Sequence, residues 1–201
     1  MRIKKVKQLT GGKWLKLYQL DVENRNEELQ DYYLASRRPI NDLVVVNSEN
    51  KKICDGVVIV PVLTTGEVVM IEQFRPLVNE KVFEFPAGLL KNGEDFLSGA
   101  KRELKEETGL ECLSSEVIIK NSYSSTGITD ERVAVVEMIV DGELSTENNE
   151  VDEEITLHKI VVDDIPEFIK THEVQLRETA LLLYLYNKHV DILAQLAIDK
   201  K

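Results

Sequence analysis

The chain lacks the residues that build disulfide frameworks and zinc sites. Its 201 residues include two cysteines and three histidines, and Cys54 and Cys112 stand too far apart to form a CxxC pair. Isolated thiols are typical of proteins kept in a reducing compartment, so we expect a cytoplasmic location. The longest uncharged apolar stretch, residues 180–186, is far shorter than the roughly 20 residues that span a bilayer, so we expect no membrane association.

Positive charge is scarce relative to negative charge. The 25 Lys and Arg residues are outnumbered by 36 Asp and Glu residues, which gives a formal net charge of -11. A surface this acidic repels phosphate backbones, so we expect no nucleic-acid partner. A hydrophobic content of 43% with 30% charged residues describes a folded chain with a buried core.

Two regions differ in their β pattern. Residues 1–46 are predicted to form a small N-terminal antiparallel β subdomain with no core of its own, with strand pieces at 13–18, 32–34 and 43–46. Residues 47–201 are predicted to form the main domain, which opens with a strand at 57–63 buried on both faces and a hairpin to 68–72. Further strands are expected at 83–85, 117–119, 133–140 and 155–162, and helices at 165–171 and 174–196. This order predicts an α+β fold with a mixed sheet and helices on its faces.

The stretch from residue 88 to residue 110 predicts one well-defined helix. Asp95 is a suitable N-cap, and Gly109 suits the left-handed position that ends a helix. Leu97, Ala100 and Leu104 recur at helical spacing and define the side that faces the core.

A group of carboxylates lies beside that buried side. Glu103, Glu106 and Glu107 are three and four residues apart, so they share one flank of the helix. Carboxylates this close raise one another's pKa unless a cation lies among them. Two cations are available, Arg102 or a divalent ion, and all-oxygen ligands suit Mg²⁺ or Mn²⁺. A solvated acidic helix face without a ligand is the alternative interpretation.

The spacing of residues around this helix resembles the signature of the Nudix hydrolases. The fixed positions of that signature are matched by Gly88, Glu94, Arg102, Glu103, Leu104, Glu106, Glu107, Gly109 and Leu110. The resemblance implies a Nudix α/β/α sandwich in which this stretch forms a loop, a helix and a second loop. It also implies a Mg²⁺-dependent pyrophosphohydrolase, with Mn²⁺ as a substitute.

Segments outside the helix look like the ADP-ribose pyrophosphatase branch, which acts on nucleoside diphosphate sugars. They are residues 12–14 (Gly-Lys-Trp), 55–57 (Asp-Gly-Val), 73–76 (Gln-Phe-Arg-Pro) and 84–88 (Glu-Phe-Pro-Ala-Gly). The implied substrate is ADP-ribose or a similar small molecule, and the products are a nucleoside monophosphate and a sugar phosphate. Because that branch exchanges N-terminal strands between subunits, a homodimer is also implied.

One departure keeps alternatives open. Thr126 stands where this branch commonly has a proline, so GDP-mannose or another nucleotide sugar is an alternative substrate. A non-catalytic nucleotide-sugar sensor is a second alternative, although such sensors usually lose glutamates of the signature and none is lost here.

The resemblance assigns metal and substrate contacts to particular residues. The carbonyl of Ala87 and the carboxylates of Glu103 and Glu107 would hold the metal ions, whose number stays open. Glu106 and Arg102 would complete the catalytic group around them.

Substrate contacts fall outside the helix. Arg75 would hold a phosphate, Leu89 would make a backbone contact and Trp14 would stack on the nucleobase. Arg37 or Arg38 would add a phosphate contact, and the sequence does not decide between them.

The general base would lie in an acidic segment before the last strand. Residues 141–154 carry seven carboxylates and no Lys or Arg. Glu153 best matches the family position, and Glu150 and Glu154 are alternatives.

Overall fold

A computed structural model of the chain describes residues 1–149 and 154–199. The chain divides into two compact units. The first comprises Met1–Gly56 and Ile119–Ala134, and the second comprises Val57–Ile118 and Val135–Lys201. The predicted division into residues 1–46 and 47–201 stays a prediction.

The first unit contains, among its described residues, a three-stranded antiparallel sheet in the order β1–β2–β3. Its strands are β1 (Arg2–Gln8), β2 (Lys16–Glu23) and β3 (Leu29–Ser36). Alternation in β2 buries Tyr18, Leu20 and Val22 on one face, where they pack with Leu34 and Leu43. The predicted small antiparallel sheet is confirmed. The expectation that this segment has no core of its own is wrong, because one face of β2 is enough to build a small one.

Two local predictions in this unit are wrong. Residues 43–46 form a turn instead of a strand, because the N–H groups of Val46 and Asn47 both donate to the carbonyl of Leu43, at 2.9 and 2.8 Å. Leu43 and Val44 are nevertheless buried. Their apolar character therefore indicated burial correctly but not a strand. The sequence also predicts no strand before residue 13, whereas residues 2–8 form β1, which pairs with β2.

The remaining strands form a seven-stranded sheet among the described residues. Its main path runs β10–β5–β4–β9–β8, with β6 paired to β5 and β7 paired to β4. The strands are β4 (Gly56–Leu63), β5 (Val68–Arg75), β6 (Glu80–Glu84), β7 (Ala87–Leu89), β8 (Glu111–Tyr123), β9 (Arg132–Asp141) and β10 (Ile155–Ile160). Chain segments of β8 and β9 continue from one unit into the other.

The β4–β5 hairpin forms where the sequence predicts it. Four consecutive residues of β4, Val57 to Val60, are at most 1% exposed, as expected of a strand covered on both faces. Gly66 in the connecting turn has φ +98°, a conformation that side chains disfavour.

Three α-helices are present among the described residues. They are α1 (Phe96–Thr108), α2 (Ile165–Thr171) and α3 (Leu176–Asp199). Leu181, Leu182 and Leu185 give α3 its buried side. The predicted fold class is confirmed: the chain has a mixed sheet with helices, and a small antiparallel sheet at its N-terminus. None of the described helices is both long enough and apolar enough to cross a membrane.

Candidate active site

Helix α1 begins and ends as predicted. The carboxylate of Asp95 accepts hydrogen bonds from the N–H groups of Leu97 and Ser98, at 3.0 and 3.1 Å. Gly109 ends the helix with φ +75°. Leu104 is fully buried and fixes the rotation of the helix about its axis. The orientation of the carboxylates follows from these three constraints.

The three carboxylates of α1 differ in their exposure. The side chain of Glu106 is 42% exposed and that of Glu103 is 12% exposed, while Glu107 is buried. The flank predicted from spacing therefore runs from solvent into the protein. Glu103 and Glu107 are its inner members.

Arg102 lies among these carboxylates, as one of the two predicted partners. Its Nη1 donates to Glu103 at 2.7 Å and to Glu106 at 2.9 Å. Its Nε and Nη2 donate to Glu94 at 3.0 and 2.9 Å, and Nη2 also donates to the carbonyl of Leu89 at 3.1 Å. One guanidinium thus joins the helix, the loop before it and strand β7.

This arrangement changes the acidity of both charged groups. Hydrogen bonds from Arg102 are the main cause that lowers the pKa of Glu94 to about 2, with a smaller contribution from the N–H of Lys91. Conversely, the hydrogen bond to Glu94 is the main cause that raises the pKa of Arg102. Both groups are therefore charged at neutral pH, and the cation offsets repulsion among the carboxylates.

The inner carboxylates meet the backbone of β7. Glu107 Oε2 accepts a hydrogen bond from the N–H of Ala87 at 2.9 Å. The carboxylate of Glu103 lies against the α-carbon of Gly88 so closely that any Cβ there would overlap it. A glycine is required at position 88 for this close approach, and the Ala87–Gly88 backbone becomes the meeting point of both acids.

The donor set at this point fits a hard divalent ion. Carboxylate oxygens of Glu103 and Glu107 and the backbone at Ala87 lie together, and Mg²⁺ and Mn²⁺ bind through oxygen. Within residues 1–149 and 154–199, no three His, Cys, Asp or Glu side chains gather at ligand spacing by themselves. Arg102 donates to Glu103 and Glu106, so both of these acids already have a cationic partner in the structure.

Arg75 is paired with a buried acid. Its Nε donates to Glu84 Oε1 at 2.6 Å, and Nη2 donates to the other carboxylate oxygen. The side chain of Glu84 is 2% exposed, whereas that of Arg75 is 44% exposed. The Arg75 guanidinium is therefore paired with a buried carboxylate, while almost half of its side chain is exposed.

The other predicted site residues are spread along the chain. Trp14 lies in the first unit and is 70% exposed, and Leu89 is 43% exposed. Glu153, the predicted base, and Glu150 lie outside the described residues. Glu154 is described, and its carboxylate lies 3.4 Å from Lys81 Nζ with 73% of the side chain exposed.

The structure separates Arg37 from Arg38. Nη2 of Arg38 donates to both carboxylate oxygens of Asp55 at 2.6 Å, and the Arg38 side chain is 10% exposed. Arg37 is 49% exposed, with its Nε 3.4 Å from Glu131. Arg38 therefore stabilises the first unit through a largely buried ion pair, whereas about half of the Arg37 side chain is exposed.

The buried acids to which the sequence assigns no role include Glu84 and Asp130. Glu84 orients Arg75, and Asp130 accepts hydrogen bonds from Ser36 Oγ at 2.6 Å and from the N–H of Val44 at 3.1 Å. Glu84 had a readable signal, because it stands between Phe83 and Phe85 in a strand where a charge needs a partner. Asp130 had none, since its partners are far away in sequence.

The fold agrees with what comparison with known proteins shows. The model of the NUDIX domain matches residues 52–184, about two thirds of the chain. The chain therefore belongs to the Nudix family, and the predicted resemblance to Nudix hydrolases is confirmed.

Particular relatives extend this likeness over most of the chain. It is 29% identical to the methanol dehydrogenase activator of Bacillus methanolicus, over 88% of this chain and 87% of that protein. It is 31% identical to the ADP-ribose pyrophosphatase of Bacillus subtilis (strain 168), over 86% of this chain and 85% of that protein. A crystal structure of an ADP compounds hydrolase has the same fold, with a TM-score of 0.70, 19% identity and 94% of each chain covered.

Proposed function

We propose that the chain is a metal-dependent pyrophosphohydrolase acting on ADP-ribose or a closely related nucleoside diphosphate sugar. From ADP-ribose and water it would produce AMP and ribose 5-phosphate. The observation that carries this proposal is the meeting of the Glu103 and Glu107 carboxylates at the Ala87–Gly88 backbone. The names of relatives in bacteria, yeast and mouse, ADP-ribose or ADP-sugar pyrophosphatase, support the substrate class.

The metal site would be formed by the Ala87 carbonyl with Glu103 and Glu107, and Glu106 would be a further ligand. Nudix hydrolases in general use divalent metal ions, and we propose Mg²⁺ here, with Mn²⁺ as a substitute. Such an ion neutralises diphosphate charge and makes water a better nucleophile. Arg102 would hold Glu103 and Glu106 in place through the contacts described above.

Three residues would hold the substrate, and the exposed Arg37 would add a phosphate contact. Arg75, oriented by its pairing with Glu84, would contact a phosphate of the substrate. The backbone of Leu89 would contact the ligand, and the exposed ring of Trp14 would stack on the nucleobase.

The reaction needs a base to take a proton from the attacking water. We assign this role to Glu153, with Glu150 and Glu154 as alternatives. As the water oxygen forms a bond to one phosphorus, the bridging P–O bond breaks and its electron pair leaves with the other phosphate. General-base assistance of this kind contributes typically about 10²–10⁴-fold to the rate.

We also propose a cytoplasmic homodimer with exchanged N-terminal strands. Exposed apolar side chains on the first sheet support an interface there, among them Leu29, Tyr32 and Tyr33. Sedimentation analysis tests it: a monomer that stays monomeric at high concentration would contradict the proposal.

A product assay tests the activity. The purified chain would be incubated with Mg²⁺ and ADP-ribose, GDP-mannose, ADP-glucose, diadenosine polyphosphates or 8-oxo-dGTP, and the products separated by chromatography. NAD⁺ and NADH belong in the panel because one relative is named for activating a dehydrogenase. We expect AMP to appear fastest from ADP-ribose, and no product from any substrate would overturn the proposal.

GDP-mannose is the second candidate substrate. Thr126 replaces a proline typical of the ADP-ribose branch and is exposed in the structure. Faster release of GMP from GDP-mannose would leave the assignment of the catalytic residues unchanged and would change the assigned substrate. Tight nucleotide-sugar binding without turnover would instead favour the sensor.

A further inference from the structure

The turn that carries Trp14 is stabilised by a hydrogen bond and a close backbone contact. It joins β1 to β2, and the hydroxyl of Thr10 accepts a hydrogen bond from the N–H of Leu17 at 2.9 Å. Gly12 lies so close to the carbonyl of Leu15 that a Cβ at position 12 would overlap the carbonyl oxygen, whereas the space around Gly11 is open. The second glycine therefore allows a tight turn, and residues 13 and 14 are displayed at its tip.

The tip displays a cation and an aromatic ring in contact. Lys13 Nζ lies 4.8 Å from the centroid of the Trp14 ring, within the range of a cation–π interaction. The indole is 70% exposed although it is the largest apolar side chain of the region. Tryptophan is enriched among the residues that dominate binding energy, and the role proposed for Trp14 leaves Lys13 unexplained.

We propose that Lys13 is a positioning residue for the nucleobase: its ammonium packs on one face of the Trp14 indole and leaves the opposite face to receive the base. This inference rests on the proposed role of Trp14. The ammonium is attracted to the ring quadrupole, so the ring spends less of its time in other rotamers before the ligand arrives. A ring that is oriented in advance loses less conformational entropy on binding, which increases affinity.

The chain's only tryptophan makes this measurable without turnover. Fluorescence of Trp14, excited at the red edge of its absorption, would be titrated in EDTA with AMP and separately with ribose 5-phosphate. Stacking predicts a saturable change with AMP and none with ribose 5-phosphate, which lacks the base. A response to both ligands, or to neither, would overturn the inference.

Variants separate the cation–π contact from charge alone. Loss of an exposed cation–π interaction weakens binding by about two- to five-fold, so Lys13→Met should raise the dissociation constant for AMP by that factor. Lys13→Arg should restore it, because a guanidinium also packs on indole. Lys7→Met removes the same charge from the same sheet and should leave it unchanged. Equal affinities of Lys13→Met and the unaltered chain, or equal losses in Lys13→Met and Lys7→Met, would overturn the inference.

The two glycines test the turn itself. Gly12→Ala should weaken AMP binding because the turn must open, whereas Gly11→Ala should not. Failure of the proposed activity would show separately, as absence of AMP in the product assay, while the fluorescence titrations report only on base stacking.

Discussion

The carboxylate of Glu103 lies against the α-carbon of Gly88, with no room for a side chain between them. Gly88→Ala should therefore push this carboxylate away from the Ala87–Gly88 backbone. A displacement of about 1 Å in a catalytic group costs about 10²-fold in rate. We expect the turnover of ADP-ribose to fall by that order, measured by AMP release at saturating Mg²⁺.

A matched glycine controls for the added methyl group. Gly11→Ala meets open space and should turn over ADP-ribose like the unaltered chain. Circular dichroism should show both variants folded. Full activity of Gly88→Ala would contradict the assignment of Glu103 to the metal site.

Glu107 combines burial with a hydrogen bond to the N–H of Ala87. Glu107→Gln keeps an oxygen that can accept this hydrogen bond, so the fold should persist, but it removes the negative charge that a metal ion needs. We expect a loss of activity of at least about 10²-fold, since even residues that only support ligands cost about 10–100-fold. Glu111→Gln, at an exposed acid paired with Lys105, should retain activity. Unchanged turnover by Glu107→Gln at saturating Mg²⁺ would refute the metal site.

The Arg102–Glu94 contact should make stability depend on pH in acid. The pKa of Glu94 is lowered from 4.5 to about 2 in the folded chain, so its stabilising effect is fully present above about pH 4.5 and is lost as the pH falls towards 2. Glu94→Gln should therefore be less stable than the unaltered chain at pH 6, with the gap closing as the pH falls. Urea unfolding at pH 6, 4 and 3 measures this, and a gap independent of pH would contradict it.

The adjacent arginines at the end of β3 should respond differently to the same substitution. Arg38→Gln breaks a largely buried bidentate pair with Asp55 and should lower the urea midpoint. Arg37→Gln changes an exposed side chain, so stability should hold while KM for ADP-ribose rises. Urea unfolding and steady-state kinetics on both variants test this, and the reverse outcome would make Arg38 the ligand residue.

Signals within a few residues predicted helix α1 and the grouping of its charged side chains. They did not predict contacts between residues that are far apart in the sequence. Asp95 and Gly109 mark the ends of α1 because capping is decided within a few residues. The partnership of Arg102 with the carboxylates follows from helical spacing, although its reach back to Leu89 does not. The hydrogen bond from Ser36 to Asp130 joins residues 94 positions apart, and no periodicity encodes such a contact.

Apolar content gave a wrong prediction where buried residues do not lie in a strand. The pair at 43–44 is buried in a turn closed by the Leu43 carbonyl, so its composition resembled a strand. In β1 the basic side chains concealed a strand whose Ile3 and Val6 pair opposite Val22 and Leu20. Backbone pairing to β2 decided that structure, and the partner strand is not visible from the segment alone.

The contacts of Arg102 have a consequence for how the proposed metal site would form. Glutamates whose only counter-charge was a bound ion would repel one another once that ion dissociated, and this repulsion would destabilise the helix. Here a guanidinium already ties Glu94, Glu103 and Glu106 to the backbone at Leu89. We therefore expect folding to be independent of metal binding: these glutamates would keep their places through Arg102 before any ion reaches the proposed site.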